Sequence, residues 1–127
     1  MAENLSEATA SKYAVELYFK LMDKNRLAVK GMFCAASKMV WNGREIAGLD
    51  PISDFLCTEI PLMQHDVRVI NAHEIPSTTG QGRMMHAVCS GDVSYGSDKE
   101  RPFQQSFLFA EVQGVWFIVR TEFRLLN

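Results

Sequence analysis

Residues 101–112 alternate in character. Phe103, Gln105, Phe107 and Phe109 fall on one side of an extended strand, and Gln104, Ser106, Leu108 and Ala110 on the other. The same two-residue period predicts strands over 64–75 (through Val67 and Val69), 83–95 and 115–126. Polar turns separate them at 77–82, 96–100 and Gln113-Gly114. The first third follows a helical period instead. Asn4 is a plausible cap with Glu7 closing a capping box, and Ala10, Ala14, Leu17, Tyr18 and Leu21 form the predicted apolar stripe. A polar corner at 23–26 leads to a short helix over 26–33, weakened by Gly31. A hairpin follows, with strands 38–41 and 44–47 joined by Asn42-Gly43, a pair suited to positive φ. Asp50 is the predicted cap of a helix with Pro51 in its first turn, a stripe of Ile52, Phe55 and Leu56, and a stop at Pro61. Helices followed by long antiparallel strands predict an α+β fold in one domain, 1–127, with the helices on one face of the sheet.

The strand rows sort into two faces. Regular alternation puts Met85, Ala87, Cys89, Gly91 and Val93 with Val115, Phe117, Val119, Thr121, Phe123 and Leu125 under the helices. The opposite face receives Met84, His86, Val88, Ser90 and Asp92, then Gln104, Ser106 and Leu108, then Trp116, Ile118, Arg120, Glu122 and Arg124. Such a mixture of apolar groups, an aromatic, arginines and hydrogen-bonding side chains, almost without lysine, is the composition of a protein–protein interface. An ordinary half-wet sheet face is the alternative. One bulge in a strand would exchange the rows beyond it.

Composition removes several functions. The formal net charge of −2 and a pI near 5.9 offer no cationic surplus for phosphates, so direct nucleic-acid binding is not expected. Cys34, Cys57 and Cys89 are odd in number and lack metal-ligand spacing, and read as reduced thiols. No bound metal or cofactor is implied, since no Walker loop, GxGxxG or HExxH is present. The N-terminus lacks the pattern of a secretory signal, and no apolar run is long enough to cross a membrane.

Met22-Asp23-Lys24 with Arg26, Val40-Trp41-Asn42-Gly43, Gly48, Arg101-Pro102-Phe103 with Gln105 and Phe107, Val115-Trp116 with Ile118, and Phe123-Arg124 occur in order and at matching spacing. In these the chain resembles the nuclear transport factor 2-like superfamily over essentially its whole length. Within it, the resemblance is to the nuclear transport factor 2-related export proteins, small partners of the nuclear RNA export factor TAP. The resemblance implies a cone with a strongly bent sheet, whose outer face pairs with another such sheet. Val88, Gln104, Ser106, Glu122 and Arg124 would then lie on the dimer face, and Arg124 would meet a carboxylate of the larger partner. It further implies a non-enzymatic subunit of a heterodimeric messenger RNA export receptor, supporting binding to nucleoporin Phe-Gly repeats and shuttling between nucleus and cytoplasm through the nuclear pore.

Two departures separate the chain from the import factor of the same superfamily, a homodimeric carrier for GDP-bound Ran and the alternative reading. Asn42 stands where that factor has a glutamate used against Ran. Val88, Ser106 and Glu122 stand where it has self-pairing methionines. A third reading, a cavity enzyme or small-ligand binder, needs an acid–base pair inside the cone. The inward rows carry no carboxylate pair, His86 falls on the outer row, and His65 and His73 have no evident acidic partner in sequence. Asp50 and Asp54 read as a cap and a solvated helix residue, Tyr13 and Tyr18 as core packing of the first helix rather than a cavity mouth, and Trp41 as a packing aromatic.

Overall fold

The structure, a computed structural model, describes residues 7–75, 82–96 and 99–126, with side chains from residue 12 onward in the first helix. The predicted Asn4 cap and most of the two polar turns around 79 and 98 lie outside the described residues. Helix α1 spans Glu7–Lys24, and a 3-10 helix follows over Arg26–Met32. Strands β1 (Phe33–Trp41) and β2 (Arg44–Ala47) form the hairpin. Helix α2 (Leu49–Asp54) runs into a π-helical turn at Phe55–Glu59. Strands β3 (Met63–Ile75), β4 (Met84–Tyr95), β5 (Arg101–Val112) and β6 (Val115–Leu125) complete an α+β fold. The strands form one six-stranded sheet in the order β2-β1-β6-β5-β4-β3. Every pair is antiparallel except β1 with β6, which is parallel.

Local chemistry explains the connections. Asn42 and Gly43 adopt positive φ angles of 50° and 90°, as the hairpin requires. The Asn42 side chain is also used, its Oδ1 accepting the Leu125 backbone N–H at 2.8 Å. Helix α2 starts two residues earlier than predicted. Its cap is Gly48, at φ 103°, and Asp50 instead sits in the first turn and pairs with Lys30 at 3.0 Å. The chain leaves the π-helical turn at Ile60, which is extended as the residue before a proline prefers to be.

The core lies between the helices and one sheet face. On α1 it is built from Val15, Tyr18, Phe19 and Met22, with Ala14 and Leu21 at its margin. This corrects the predicted stripe: Leu17 is 42% exposed and Tyr13 64% exposed, so neither packs there, whereas Tyr18 does. Tyr18 meets Phe19, Phe33 and Phe107 edge-on, and Phe19 meets Phe103. Trp41 is the packing aromatic expected, stacked on Phe123 with centroids 4.1 Å apart and edge-on to Phe55.

Polar groups in this core are tied in part: among the described residues Gln105 Oε1 and Trp41 Nε1 have no hydrogen-bond partner. Gln105, placed among the phenylalanines by its alternation, donates to the Thr121 hydroxyl at 2.9 Å, and Thr121 donates to the Ser106 carbonyl at 2.8 Å. Burial raises the Tyr18 phenol well above its ordinary value and pushes the Cys89 thiol up to about 12. Cys89 is thereby held neutral, and its thiol donates to the Gln105 carbonyl at 3.2 Å.

Three irregularities interrupt the ladders, and they decide which side chains face which way. In β3, Val67 pairs with Gly91 but Val69 pairs with Ser90, so Arg68 is an extra residue and the two valines face opposite sides. Regular alternation predicts them on one row. Gly91 is required there: a Cβ would lie 2.0 Å from the Asp66 carbonyl oxygen. In β6, Arg120 pairs with Leu108 but Ile118 pairs with Phe109, leaving Val119 as the extra residue. The parallel β1–β6 register shifts at the same place, between Phe33 and Lys38. The buried Ser37 hydroxyl anchors this kink, donating to the Ile118 carbonyl while accepting the Cys34 N–H.

Candidate docking face

The outer face can be read as cross-strand rows. At one end Ile75, Met84, Ala110 and Phe117 are successive neighbours on β3, β4, β5 and β6. The next row is His73, His86, Leu108 and Arg120. Then come Asn71, Val88, Ser106 and Glu122, continued by Val40 of β1. Val69, Ser90, Gln104 and Arg124 follow. The face therefore grades from apolar at the β5–β6 turn to polar at the opposite end.

Seven of the nine predicted docking residues share this face: Val88, Gln104, Ser106, Leu108, Arg120, Glu122 and Arg124. Five of them, Val88, Gln104, Ser106, Glu122 and Arg124, line one hollow of about 230 Å³. The other two are on the wrong side. The Val119 bulge turns Ile118 into the core, where it is 0% exposed and pairs with Phe109. It also places Trp116 opposite Glu111, at the edge of the core, with the Arg83 guanidinium 5.4 Å above its ring. Phe117 and Val115 leave the inner row for the same reason, and Phe117 supplies the aromatic that Trp116 was expected to give. The hint of the bulge is Ser37, a buried hydroxyl in the middle of β1.

Arg124 makes an exposed ion pair on this face. Its guanidinium donates to the Glu122 carboxylate at 3.1 Å, with the side chains 60% and 35% exposed. An exposed pair of this kind is worth about 0–1 kcal/mol, so an incoming carboxylate can capture the guanidinium at little cost. At the polar end Arg68 bridges Asp92 at 2.8 Å and Asp66 at 3.5 Å, so the β3 bulge carries a cluster of one cation and two carboxylates.

A second constellation escaped sequence reading. His65 is not without an acidic partner: Asp23 at the end of α1 receives its Nδ1 at 2.6 Å and its backbone N–H at 2.8 Å. The imidazole is packed against Phe19 and Phe103. Its Nε2 is buried without a hydrogen-bond partner. The arrangement locks the start of β3 to α1 and gives Asp23 a structural use. Arg26 acts similarly, donating to the carbonyls of Leu56 and Ile60 at 3.1 and 3.0 Å where the π-helical turn ends. The partners are 42 and 30 or more positions apart, beyond the reach of any local pattern.

Comparison with known proteins agrees with this geometry. Residues 10–125 match the nuclear transport factor 2 (NTF2) domain. An NTF2-related export protein of Caenorhabditis elegans is 31% identical over 120 residues, 92% of this chain and 86% of the relative. The human NTF2-related export protein 2 is 28% identical over 78% of this chain and 70% of its own length. Among solved structures, a chain of the C. albicans Mtr2-Mex67 M domain complex superposes with a TM-score of 0.74 at 10% identity, covering 91% of this chain and 92% of that one. The chain belongs to the nuclear transport factor 2 domain family, and its relatives include both NTF2-related export proteins and nuclear transport factor 2 proteins, such as nuclear transport factor 2B of Arabidopsis thaliana at 29% identity over 91% of this chain.

Proposed function

We propose that this chain is a non-enzymatic subunit of a heterodimeric nuclear messenger RNA export receptor. Its outer sheet face docks on the NTF2-like domain of a larger, TAP-like export factor. The complex carries nucleoporin Phe-Gly repeat binding and shuttles between nucleus and cytoplasm through the pore. The observation that carries this reading is the likeness to an NTF2-related export protein along 92% of the chain. The outer face supports it. Val88, Ser106 and Glu122 stand side by side in one row, and a carboxylate in an otherwise uncharged row disfavours packing against its own copy. Arg124 beside that row offers a bidentate donor to a partner carboxylate. Asn42, folded back onto Leu125, has no carboxylate to offer Ran.

Co-expression with the larger subunit and light scattering on the product tests the proposal. A 1:1 heterodimer is expected, with the isolated chain monomeric or loosely associated. A tight homodimer that binds GDP-bound Ran and ignores the larger subunit overturns it in favour of the import carrier.

A further inference from the structure

We propose that His73 and His86 form a bidentate site for a late first-row divalent cation, Cu²⁺, Ni²⁺ or Zn²⁺, on the outer face. The two residues are direct cross-strand partners of β3 and β4, with ring centroids 5.5 Å apart. A cation bonded at about 2.0–2.1 Å to one nitrogen of each ring lies roughly 3.2 Å from each centroid, which sets the centroids about 4.5–5.2 Å apart for bond angles near 90–109°. The observed separation exceeds that by a few tenths of an ångström. His73 is exposed, so its ring can turn that far without disturbing the core. Neither ring is hydrogen-bonded or ion-paired within the described residues, so no existing bond must be broken.

The surroundings permit a cation. The adjacent rows contribute Ile75 and Met84 on one side and Asn71 and Val88 on the other, all uncharged. Arg120 lies in the same row two strands away, roughly 10 Å off, with Lys38 beyond it on β1, and salt at physiological strength screens most of their repulsion. No group of three ligating side chains is present among the described residues, so water fills the remaining positions. Both imidazoles must be unprotonated to ligate, so occupancy falls as the solution is acidified. The inference stands on the β3–β4 register, and because the row also lies on the proposed docking face it concerns the chain without the larger subunit.

Calorimetric titration of the tag-free full chain with Ni²⁺ and with Zn²⁺, repeated on His73→Ala and His86→Ala, tests it. One ion per chain is expected, bound about a hundredfold more weakly by either variant because the second contact is an intramolecular one. Affinity unchanged in either variant, or wild-type binding no tighter than theirs, overturns the site. Should a variant fail to fold, Cu²⁺ added to the wild type decides. Paramagnetic broadening confined to amides near 73 and 86 supports the site, and broadening centred elsewhere overturns it.

Discussion

Ile118 and Phe117 are neighbours in sequence whose roles are exchanged by one extra residue, which gives a sharp test of the face assignment. Truncating Ile118 to Ala removes a fully buried side chain seated opposite Phe109 and Phe33. Such a cavity costs about 2–5 kcal/mol. For a chain of this length each kcal/mol lowers the melting temperature by about 3–5 °C, so a fall of roughly 10–15 °C is expected at the middle of that range. Phe117→Ser removes a partly exposed ring from the outer row and is expected to cost the isolated chain about 1 kcal/mol or less, as for a surface position. The larger subunit should report the reverse order. Its affinity falls by about tenfold or more for Phe117→Ser, and Ile118→Ala leaves it nearly intact at a temperature where the variant is folded. Thermal unfolding by circular dichroism and calorimetric binding to the larger subunit read the two quantities separately. A stable Ile118→Ala variant that no longer binds, beside an unstable Phe117→Ser variant that does, would refute the bulge at Val119 and restore regular alternation along β6.

Three further outcomes are expected. Arg124→Asp leaves the stability of the isolated chain within about 1 kcal/mol, because the pair it breaks is exposed, but costs docking about 2–5 kcal/mol, read as a change in dissociation constant. Asp23→Ala strips two hydrogen bonds from buried His65 and lowers stability by about 2–3 kcal/mol, visible as a lower urea midpoint, and an unmoved midpoint contradicts the anchoring role. Cys89, its thiol held at about 12 by burial, carries roughly one thiolate in 10⁴ molecules at pH 8 and resists alkylation in the folded chain while half-exposed Cys34 and Cys57 react. Raising the pH from 7 to 9 stays below that value and leaves Cys89 protected; labelling of all three thiols at equal rates would contradict its burial.

The sequence disclosed features that a side chain reports about its own neighbourhood. Asn42-Gly43 reveals a turn because few other pairs tolerate those φ angles, and β5 reveals its two faces because its phenylalanines recur every second residue. Asp50 outshines Gly48 in the sequence because a capping side chain is more conspicuous than a backbone angle, although Gly48 adopts φ 103° and makes the cap without one. Leu17 fits the α1 stripe in the sequence because every apolar residue at helical spacing fits such a stripe, and only the packed sheet selects Val15 and Phe19 instead. The bulges at Arg68 and Val119 are backbone events, fixed by Gly91 on one neighbouring strand and Ser37 on another. The outer-face placement of Arg120, Glu122 and Arg124 was therefore legible, and the inward turn of Trp116 and Ile118, on the other side of the Val119 bulge, was not.

The position of β6 has a consequence for biosynthesis. It emerges from the ribosome after every other described element, yet it sits between β1 and β5. Until it arrives, the nascent chain holds two separate ribbons, β1–β2 and β3–β5, each with an open hydrogen-bonding edge and an oily side. The parallel seam to β1 also closes the longest chain separation in the sheet, a slow step that leaves both ribbons open to sticking elsewhere.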